Sequence, residues 1–460
     1  MKKSAKLISL LLILGLLIAG YVIYGKYAAD QTDDTQDEAD TTVEMLTLDP
    51  DSITSIEYAL EEENVSMVKN EEGWKWAADE EFPLNQSYPV NMASTLSALR
   101  AIREIADSLE NEAEYGLDAP ELTVKLKTVT GQEYELSLGS YNVIAEGYYA
   151  KITGKDKVYF VDALTVDPFG YSMLDMLKSD KLPSVDSESI TKVELVASVG
   201  TTAITTDSTG AEFYADPYVF FTKDENGKVI AVDGKAGGEF MSAISEISLG
   251  DAVAYKPDAE TLEQYALSES ARICLNVDYK KAVENSDTNT SVNVTTDEKY
   301  SLYVGITTDE EGNVAYYAML PESNVVYKLV GGSNVSQAMT ADFESKLVCP
   351  VTTEDAESYK CEIGGTNLVY FYNSADVENN DTIIAILDKI AALTYTGKTD
   401  GEKGELVFKT TFNTGETEYV LNVYQFDEEN YVASFDVFDG LLIPKEKVDV
   451  IISALKEINE

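Results

Sequence analysis

Hydrophobic and polar residues follow periods along the chain that change from strand to helix and back. Residues 53–58 alternate loosely, and Trp74 and Trp76 flank Lys75, so both stretches are predicted strands. A helix is then predicted by apolar residues at steps of three and four, namely Met92, Leu96, Leu99, Ile102, Ala106 and Leu109. Three or four strands follow this helix, with a turn at Thr130-Gly131.

This order of elements occurs three times. The stretch ITSIE at residues 53–57 returns as ITKVE at 190–194, and EYELSLG, which ends at Gly139, returns as KYSLYVG, which ends at Gly305. A shorter third copy contains EYVLNVY at 418–424. The helix period also returns, carried by Phe240, Ile244 and Ile247 and then by Ile383, Leu387 and Ile390. Copies that keep their order over such distances indicate an internal repeat.

The repeat predicts three modules, at residues 53–183, 190–350 and 358–460, the last one short. Each module has the predicted order β-β-α-β-β-β-β with an antiparallel sheet. The predicted fold class is therefore α+β, with an N-terminal transmembrane helix before the modules. A final helix, which would cap the array, is predicted from Val448, Ile451, Ile452 and Leu455.

The N-terminus has a composition of its own. Residues 7–24 are uncharged and mostly aliphatic, and three lysines precede them. At about 1.5 Å per residue this run reaches roughly 27 Å, close to the roughly 30 Å of a bilayer's hydrocarbon core. Because lysines precede the run and acids follow it, the N-terminus is expected in the cytoplasm. We predict an uncleaved signal anchor at 1–29 and a single-pass cell-membrane protein whose bulk is extracellular; the alternative is a cleaved, secreted form.

The charge balance restricts the possible partners. The chain has 82 acidic and 34 basic residues, a formal net charge of −48. Such a surface repels phosphate backbones, so nucleic acid is not an expected partner. Residues 30–44 contain seven acids and no base. They predict an acidic flexible spacer at 30–52 between the anchor and the folded part.

Three cysteines, Cys274, Cys349 and Cys361, are too few for a disulfide framework. Cys349 and Cys361 could form one bond across a module boundary. Three free, buried thiols fit the odd number equally, and we favour them. No C-x-x-C motif supports thiol redox chemistry.

The chain has no histidine, which excludes Ser-His-Asp triads, Cys-His dyads and histidine metal sites. Ser189 and Lys192 fit the S-x-x-K pattern, but this serine begins a predicted strand, so the simpler interpretation is polarity at a strand edge. Gly397-Lys398-Thr399 resembles the end of a phosphate loop. The earlier glycine of that loop would fall at Ala392, so a turn is predicted instead.

Acidic residues are numerous, but their spacing selects no site. Asp224-Glu-Asn-Gly227 and Asp309-Glu-Glu-Gly312 lack the ligand spacing of an EF-hand loop and predict β-turns. A carboxylate pair for glycoside hydrolysis could occur, but the sequence does not single one out. The sequence therefore predicts no catalytic, cofactor-binding or metal-binding residue, no cofactor and no small-molecule substrate.

The segment EGYYAKITGKDKVYFV at residues 146–161 resembles a binding loop, because paired tyrosines and three lysines surround a glycine turn. Its second copy keeps Tyr149 as Tyr317 and Tyr159 as Tyr327, but it does not keep the lysines Lys151, Lys155 and Lys157. Aromatic residues that recur without the lysines predict packing. A platform on which sugar rings stack is the alternative.

Several of these landmarks together resemble one family. They are the single N-terminal span, the I-T-x-[IV]-E strand, GWKW at 73–76, YGLDAP at 115–120, and G-Y-Y followed by V-Y-x-V. The chain resembles the family catalogued as domain of unknown function 4340, most clearly over residues 53–180. Members of that family are often encoded beside ABC-type exporters, so the resemblance implies an auxiliary role at the cell surface. It implies no catalytic residues.

Three functions follow from the sequence. The leading hypothesis is a membrane-anchored extracytoplasmic accessory or scaffold protein, not an enzyme, that makes protein contacts with an ABC-type exporter. The alternative is a cell-envelope binding module for polysaccharide or cations. The third is a carboxylate-based hydrolase, which would need a deep cleft with an adjacent pair of acids.

Overall fold

The computed structural model describes residues 42–61, 63–108, 111–211, 218–224, 226–283, 294–309, 311–349, 351, 357–363, 366–372, 381–415, 417–435 and 438–458. Strands make up 46% of the structure and helices 20%, and the strands form four antiparallel sheets. The molecule is therefore mostly β-sheet, and the predicted α+β class is wrong. The physical reason is that the helices of each module are few and short beside its sheet of seven to nine strands.

The predicted transmembrane helix at residues 7–24 lies outside the described residues, as does the predicted spacer up to residue 41. In the part of the chain that the structure describes, no helix combines the length and the apolar character needed to span a bilayer. The N-terminal helix of the predicted fold is thus not found there. The chain divides into two compact units, Met1–Lys178 and Ser179–Glu460.

Among the described residues, the first unit contains ten strands and one α-helix. They are β1 (Val43–Thr47), β2 (Ile53–Ala59), β3 (Asn64–Asn70), β4 (Gly73–Trp76), α1 (Ser87–Ser97), β5 (Ala98–Ala101), β6 (Arg103–Ala106), β7 (Leu122–Thr128), β8 (Glu133–Asn142), β9 (Gly147–Ile152) and β10 (Val158–Asp162). The first sheet has the order β4-β3-β2-β7-β8-β9-β10-β6, and β1 pairs with β5 apart from it. Short 3-10 helices lie at Glu112–Tyr115, Ala163–Thr165 and Asp167–Phe169.

The second unit contains two large sheets. The second sheet is formed by β11 (Ile190–Ala197), β12 (Gly200–Thr205), β13 (Phe221–Lys223), β14 (Val229–Ala231), β15 (Ser248–Tyr255), β16 (Ile273–Val283), β17 (Val294–Thr308), β18 (Val314–Met319) and β19 (Val325–Val330). Its order is β14-β13-β12-β11-β16-β17-β18-β19-β15. Three helices accompany it, α2 (Gly234–Ser245), α3 (Ala259–Gln264) and α4 (Gly332–Ala338).

The third sheet has seven strands, which are β20 (Ser358–Ile363), β21 (Thr366–Tyr372), β22 (Gly397–Lys398), β23 (Leu406–Asn413), β24 (Glu418–Gln425), β25 (Asn430–Phe435) and β26 (Phe438–Pro444). Its order is β21-β20-β23-β24-β25-β26-β22. Helices α5 (Asp381–Ala391) and α6 (Lys445–Ile458) pack against each other. The apolar residues from which α6 was predicted are buried in this core, so that helix is confirmed.

The three large sheets share one order of strands. In each sheet the first strand of the copy, β2, β11 or β20, pairs with the strand that follows it and with a later strand, β7, β16 or β23. The far edge of each sheet is formed by β6, β15 or β22. In the sequence, this edge strand lies between the helix and that later strand. The remaining neighbours in each sheet are antiparallel strands that need only short turns between them. The residues of these turns could therefore be recognised in the sequence.

The predicted helix of the first copy is too long. α1 ends at Ser97, and Leu99 and Ile102 belong to an extended segment that continues into β6. Leu99 and Ala101 point inward while Arg100 points outward, which is the period of a strand. Over a few residues, the apolar spacing of a strand cannot be distinguished from that of a helix. The periodicity alone therefore predicted a helix that is too long.

The end of the predicted spacer is also folded. Val43–Thr47 forms β1, where Leu46 lies opposite Leu99 and Met45 is buried. Its acidic neighbours led to the prediction of a spacer, although Met45 of this stretch is buried as in a packed strand.

A short segment joins the second and third sheets within the second unit. The amide of Ser345 donates to the carbonyl oxygen of Ala231 in the second sheet, and the amide of Val348 donates to Leu393 beside the third sheet. Val348 and Cys349 already belong to the third core, whereas Leu182 packs on the second core. The packing therefore changes from the second core to the third between Ser345 and Val348.

Glu344 anchors this segment. Its carboxylate accepts hydrogen bonds from Lys346 at 2.8 Å and from Lys398 at 2.7 Å. Burial opposes ionisation, but the hydrogen bonds from Lys346, Lys398 and Tyr395 outweigh it and lower the pKa of Glu344 to about 2.

The three cysteines are free thiols, as favoured from the sequence. Cys349 and Cys361 are buried in the third core, whereas Cys274 is only half-buried. Burial raises the pKa of the Cys361 thiol to about 11 and raises that of Cys349 as well. Both thiols are therefore protonated at neutral pH and unreactive.

Candidate protein-contact surface

The lysines of the segment at residues 146–161 hold the first unit together. Lys151 forms an ion pair with Glu112 at 2.7 Å and donates to the carbonyl oxygen of Leu117. Lys155 donates to the carbonyl oxygen of Glu44, and Lys157 pairs with Glu104 at 2.6 Å. Lys151 thus ties β9, and Lys155 and Lys157 tie the turn between β9 and β10, to neighbouring parts of the same unit.

The recurring tyrosines also pack in the same way. Tyr149 lies against Tyr115 with ring centroids 5.1 Å apart, and in the second copy Tyr317 lies against Tyr265 at 4.5 Å. The planes meet at nearly the same angle, 53° and 52°. This equivalence supports the prediction that these aromatic rings serve packing.

A glycine brings each tyrosine pair together. A Cβ atom on Gly139 would overlap the carbonyl oxygen of Tyr115, and one on Gly305 would overlap that of Tyr265. The loop that carries the first tyrosine therefore lies directly on the strand that carries the glycine, which explains why both copies need glycine there.

The candidate nucleophile is not activated. The hydroxyl of Ser189 donates to the carbonyl oxygen of Asp186 at 2.7 Å, and Lys192 forms an ion pair with Glu194 at 2.9 Å. The two side chains thus have separate partners. Lys398 of the glycine-lysine-threonine stretch is bound to Glu344, and Gly397–Lys398 form the strand β22, so the turn predicted there is wrong.

The two acidic turns bind their own backbone. Asp224 accepts hydrogen bonds from the amides of Asn226 and Lys228, and Asp309 accepts them from Glu311 and Asn313. The amide of Asn313 contributes most to lowering the pKa of Asp309. Among the described residues, no group of three or more His, Cys, Asp or Glu side chains is placed to hold a metal ion.

Acidic residues also border an open concavity on the first sheet. It measures about 410 Å³, and its lining includes Lys125, Lys127, Glu133 and Glu135. Glu133 pairs with Lys127 at 3.1 Å and Glu135 with Lys125 at 3.7 Å. Lysines of the neighbouring strand thus neutralise both of these carboxylates.

A different surface lies at the end of the first sheet where β8 turns into β9. We define the apolar patch as six residues, Tyr141, Val143, Ile144, Tyr148, Leu164 and Tyr171. Val143, Ile144 and Leu164 are 78%, 96% and 72% exposed, and Tyr141 and Tyr171 about 40%. The ring centroids of Tyr141 and Tyr148 lie 4.9 Å apart, with the ring planes tilted by 53°. Tyr148 and Tyr171 also line an open cleft of about 400 Å³ together with Ala163, Val166, Asp167 and Gly170.

The equivalent turns of the other two sheets are polar. The turn between β17 and β18 includes Asp309 and Gly312, and the turn between β24 and β25 includes Asp427, whose carboxylate accepts from the amides of Glu429 and Asn430. The first copy has Val143, Ile144 and Ala145 instead. The fold can therefore make this turn without apolar residues, and their exposure in the first copy needs another cause.

The hairpin that carries the patch is ordered by local contacts. The side chain of Asn142 accepts hydrogen bonds from the amides of Ile144 and Ala145. The pairing of β8 with β9 shifts register between Leu138 and Tyr141, whereas no shift interrupts the described β17–β18 and β24–β25 pairs. A β-bulge redirects side chains and is frequent beside functional sites.

The chain segments that carry the apolar patch are acidic. Residues 133–150 and 162–177 contain no lysine or arginine. Asp167 lines the cleft, and Glu146 and Asp162 are exposed beside it. Burial, Glu121, Tyr141 and Asp167 together raise the pKa of Tyr148. Acidic side chains therefore surround an exposed apolar centre.

Sequence reasoning predicted no site, and it missed this patch. The sequence reasoning relied on the residues that the copies share, and those residues serve packing. The signal was a difference between the copies, an apolar tripeptide at the turn between β8 and β9 where the described turns of the other copies are polar.

Comparison with known proteins gives one match. No curated protein and no solved structure matches the chain. The model of the family described as "Domain of unknown function (DUF4340)" matches residues 74–223. This range contains the whole apolar patch. The resemblance predicted from the sequence is thus confirmed, and residues 74–223 of the chain are similar to DUF4340.

Proposed function

We propose that the chain is a membrane-anchored extracytoplasmic accessory protein that acts through protein contacts and is auxiliary to an ABC-type exporter. The single observation that carries the contact role is the apolar patch, because exposed apolar surface of this kind marks interaction sites in soluble domains. The proposal assigns no catalytic step to the chain.

The membrane location is supported by the sequence alone. Residues 7–24 are uncharged and long enough to span a bilayer, and lysines precede them. The exporter is supported by the family resemblance, since members of that family are often encoded beside such transporters. The rest of the chain is then extracellular, which suits its high negative charge.

A second candidate function is binding of cell-envelope polysaccharide, and a specific observation favours it. Sugar rings stack on tyrosine, and the cleft at the apolar patch is lined by Tyr148 and Tyr171 with Asp167 beside them. Glycan arrays probed with the full-length chain test it, and binding that is lost in Tyr171→Ala would favour this function over the protein contact.

The proposed function is tested by affinity capture from detergent-solubilised membranes. The bait is the full chain, compared with a patch variant that carries Val143→Ser, Ile144→Ser and Leu164→Ser. A matched control variant carries Val314→Ser, Val330→Ser and Val450→Ser, which are also exposed apolar residues. We expect the wild type and the control variant to capture subunits of an ABC-type exporter and the patch variant to lose them. Absence of exporter subunits from all three captures would contradict the proposal.

A further inference from the structure

We infer that the apolar patch binds a protein segment that combines large apolar side chains with Lys or Arg. This inference rests on the proposed function and names the chemistry of the partner. It follows from three properties of the patch: its apolar centre, its acidic surroundings and its rigid turn.

The apolar centre selects an apolar partner. Ile144, Val143 and Leu164 expose most of their side chains, and Tyr141 and Tyr171 expose part of their rings. Aromatic residues at the centre of a contact commonly supply most of its binding energy. An apolar side chain of the partner could enter the cleft that Tyr148 and Tyr171 line.

The acidic surroundings select basic residues. Docking removes water from Asp167 and its neighbours, and a carboxylate that loses water without gaining a partner costs free energy. Lys or Arg at the rim of the partner removes this cost, and charge complementarity also speeds association. An acidic segment would be repelled, since no basic residue occurs in residues 133–150 or 162–177.

The same properties disfavour the other occupants. Aliphatic side chains such as Ile144 and Val143 offer neither a ring for stacking nor a hydrogen bond to sugar hydroxyls, although they form the most exposed part of the patch. A membrane surface with anionic lipids would be repelled by Asp162 and Asp167. A protein segment satisfies both the apolar centre and the acidic rim.

The turn is preorganised for binding. Asn142 holds the amides of Ile144 and Ala145, and Glu146 enters the left-handed region at a φ of 52°. Gly147 follows it, and a Cβ atom there would overlap the carbonyl oxygen of Val161. A loop fixed in this way loses little conformational entropy when a partner binds.

The experiment is a selection of random 12-residue peptides on the purified full-length chain in detergent, with counter-selection on the patch variant. We expect the enriched peptides to contain large apolar residues together with Lys or Arg, and to be depleted in Asp and Glu. Measured by fluorescence anisotropy, the best peptide should bind the patch variant at least about tenfold more weakly than the Val314, Val330 and Val450 control variant. Its affinity should fall as NaCl is raised.

Each possible result of the peptide selection either supports or overturns the inference. Peptides without basic residues, or peptides that bind the patch variant as well as the wild type, would overturn it. Binding only to oligosaccharides on a glycan array, or only to lipid vesicles, would also overturn it. The patch variant must keep the unfolding midpoint of the wild type, which is expected because its three changed residues are mostly exposed. If exporter subunits are captured but the selected peptides are not basic, this inference fails while the proposed function stands.

Discussion

At the scale of single residues, the recurring positions of the copies are explained by packing. Gly139 and Gly305 both lie under the loop that carries a tyrosine, and the tyrosines Tyr115 and Tyr265 meet equivalent rings. The contact leaves no room for a Cβ atom in either copy. These packing residues make a pattern that is visible in the sequence.

We expect Gly139→Ala to destabilise the first unit and Gly305→Ala the second, each by about 1–3 kcal/mol, because the new methyl group overlaps a backbone carbonyl. Hydrogen exchange read by mass spectrometry on the full chain locates each effect. Gly139→Ala should accelerate exchange in residues 122–162, and Gly305→Ala in residues 273–330. Gly234→Ala is the control, since open space surrounds that position. Equal exchange in all three variants would show that the close contact does not exist.

The stability of the segment that joins the second and third sheets should depend on pH through Glu344. Its pKa lies at about 2 in the folded chain, below its usual value of 4.5, so the ionised carboxylate stabilises the fold above pH 4.5. That contribution is lost as the pH falls from about 4.5 to 2. Because the group is partly exposed, we expect only about 1–2 kcal/mol.

Urea denaturation of the wild type and of Glu344→Gln measures this contribution. The difference in unfolding free energy of the second unit should be largest near pH 6 and should shrink toward zero at pH 2. A difference that stays constant over this range would exclude ionisation of Glu344 as its source.

At the scale of elements, the sequence predicted those whose period is long and uninterrupted. The helices α2, α5 and α6 were predicted from apolar periods that begin at Phe240, Ile383 and Val448. These apolar residues have helical spacing because they face a core. The strands directly after each helix were not predicted. β22 has only two residues, and β5 continues the apolar spacing of α1, so neither has a period of its own.

The first strand was not predicted because its neighbours in the sequence are acidic. It provides a test at the scale of elements. β1 pairs with β5 and lies beside α1, with Met45 buried. A chain that begins at residue 48 should therefore be less stable in its first unit than one that begins at residue 42, by about 2–4 kcal/mol. Chemical denaturation measures the difference. If both chains unfold at the same denaturant concentration, β1 is not part of the folded unit.

At the scale of the whole molecule, three sheets of one strand order are built from copies that have diverged at their edges and turns. The shared residues explain how each sheet folds. The apolar patch is a place where the first copy differs from the described turns of the other two. Its location depends on the arrangement of β8, β9 and the segment after β10, which the sequence does not reveal, because Tyr148 and Tyr171 are distant along the chain.

The most direct test of the contact role is site-specific photocrosslinking in intact cells. A benzoylphenylalanine residue replaces Ile144 in the first sheet or, as the matched control, Glu311 in the equivalent turn of the second sheet. We predict adducts with subunits of an ABC-type exporter at position 144 and none at position 311. Adducts of equal yield at both positions, or no adduct with a membrane transporter at position 144, would contradict the account.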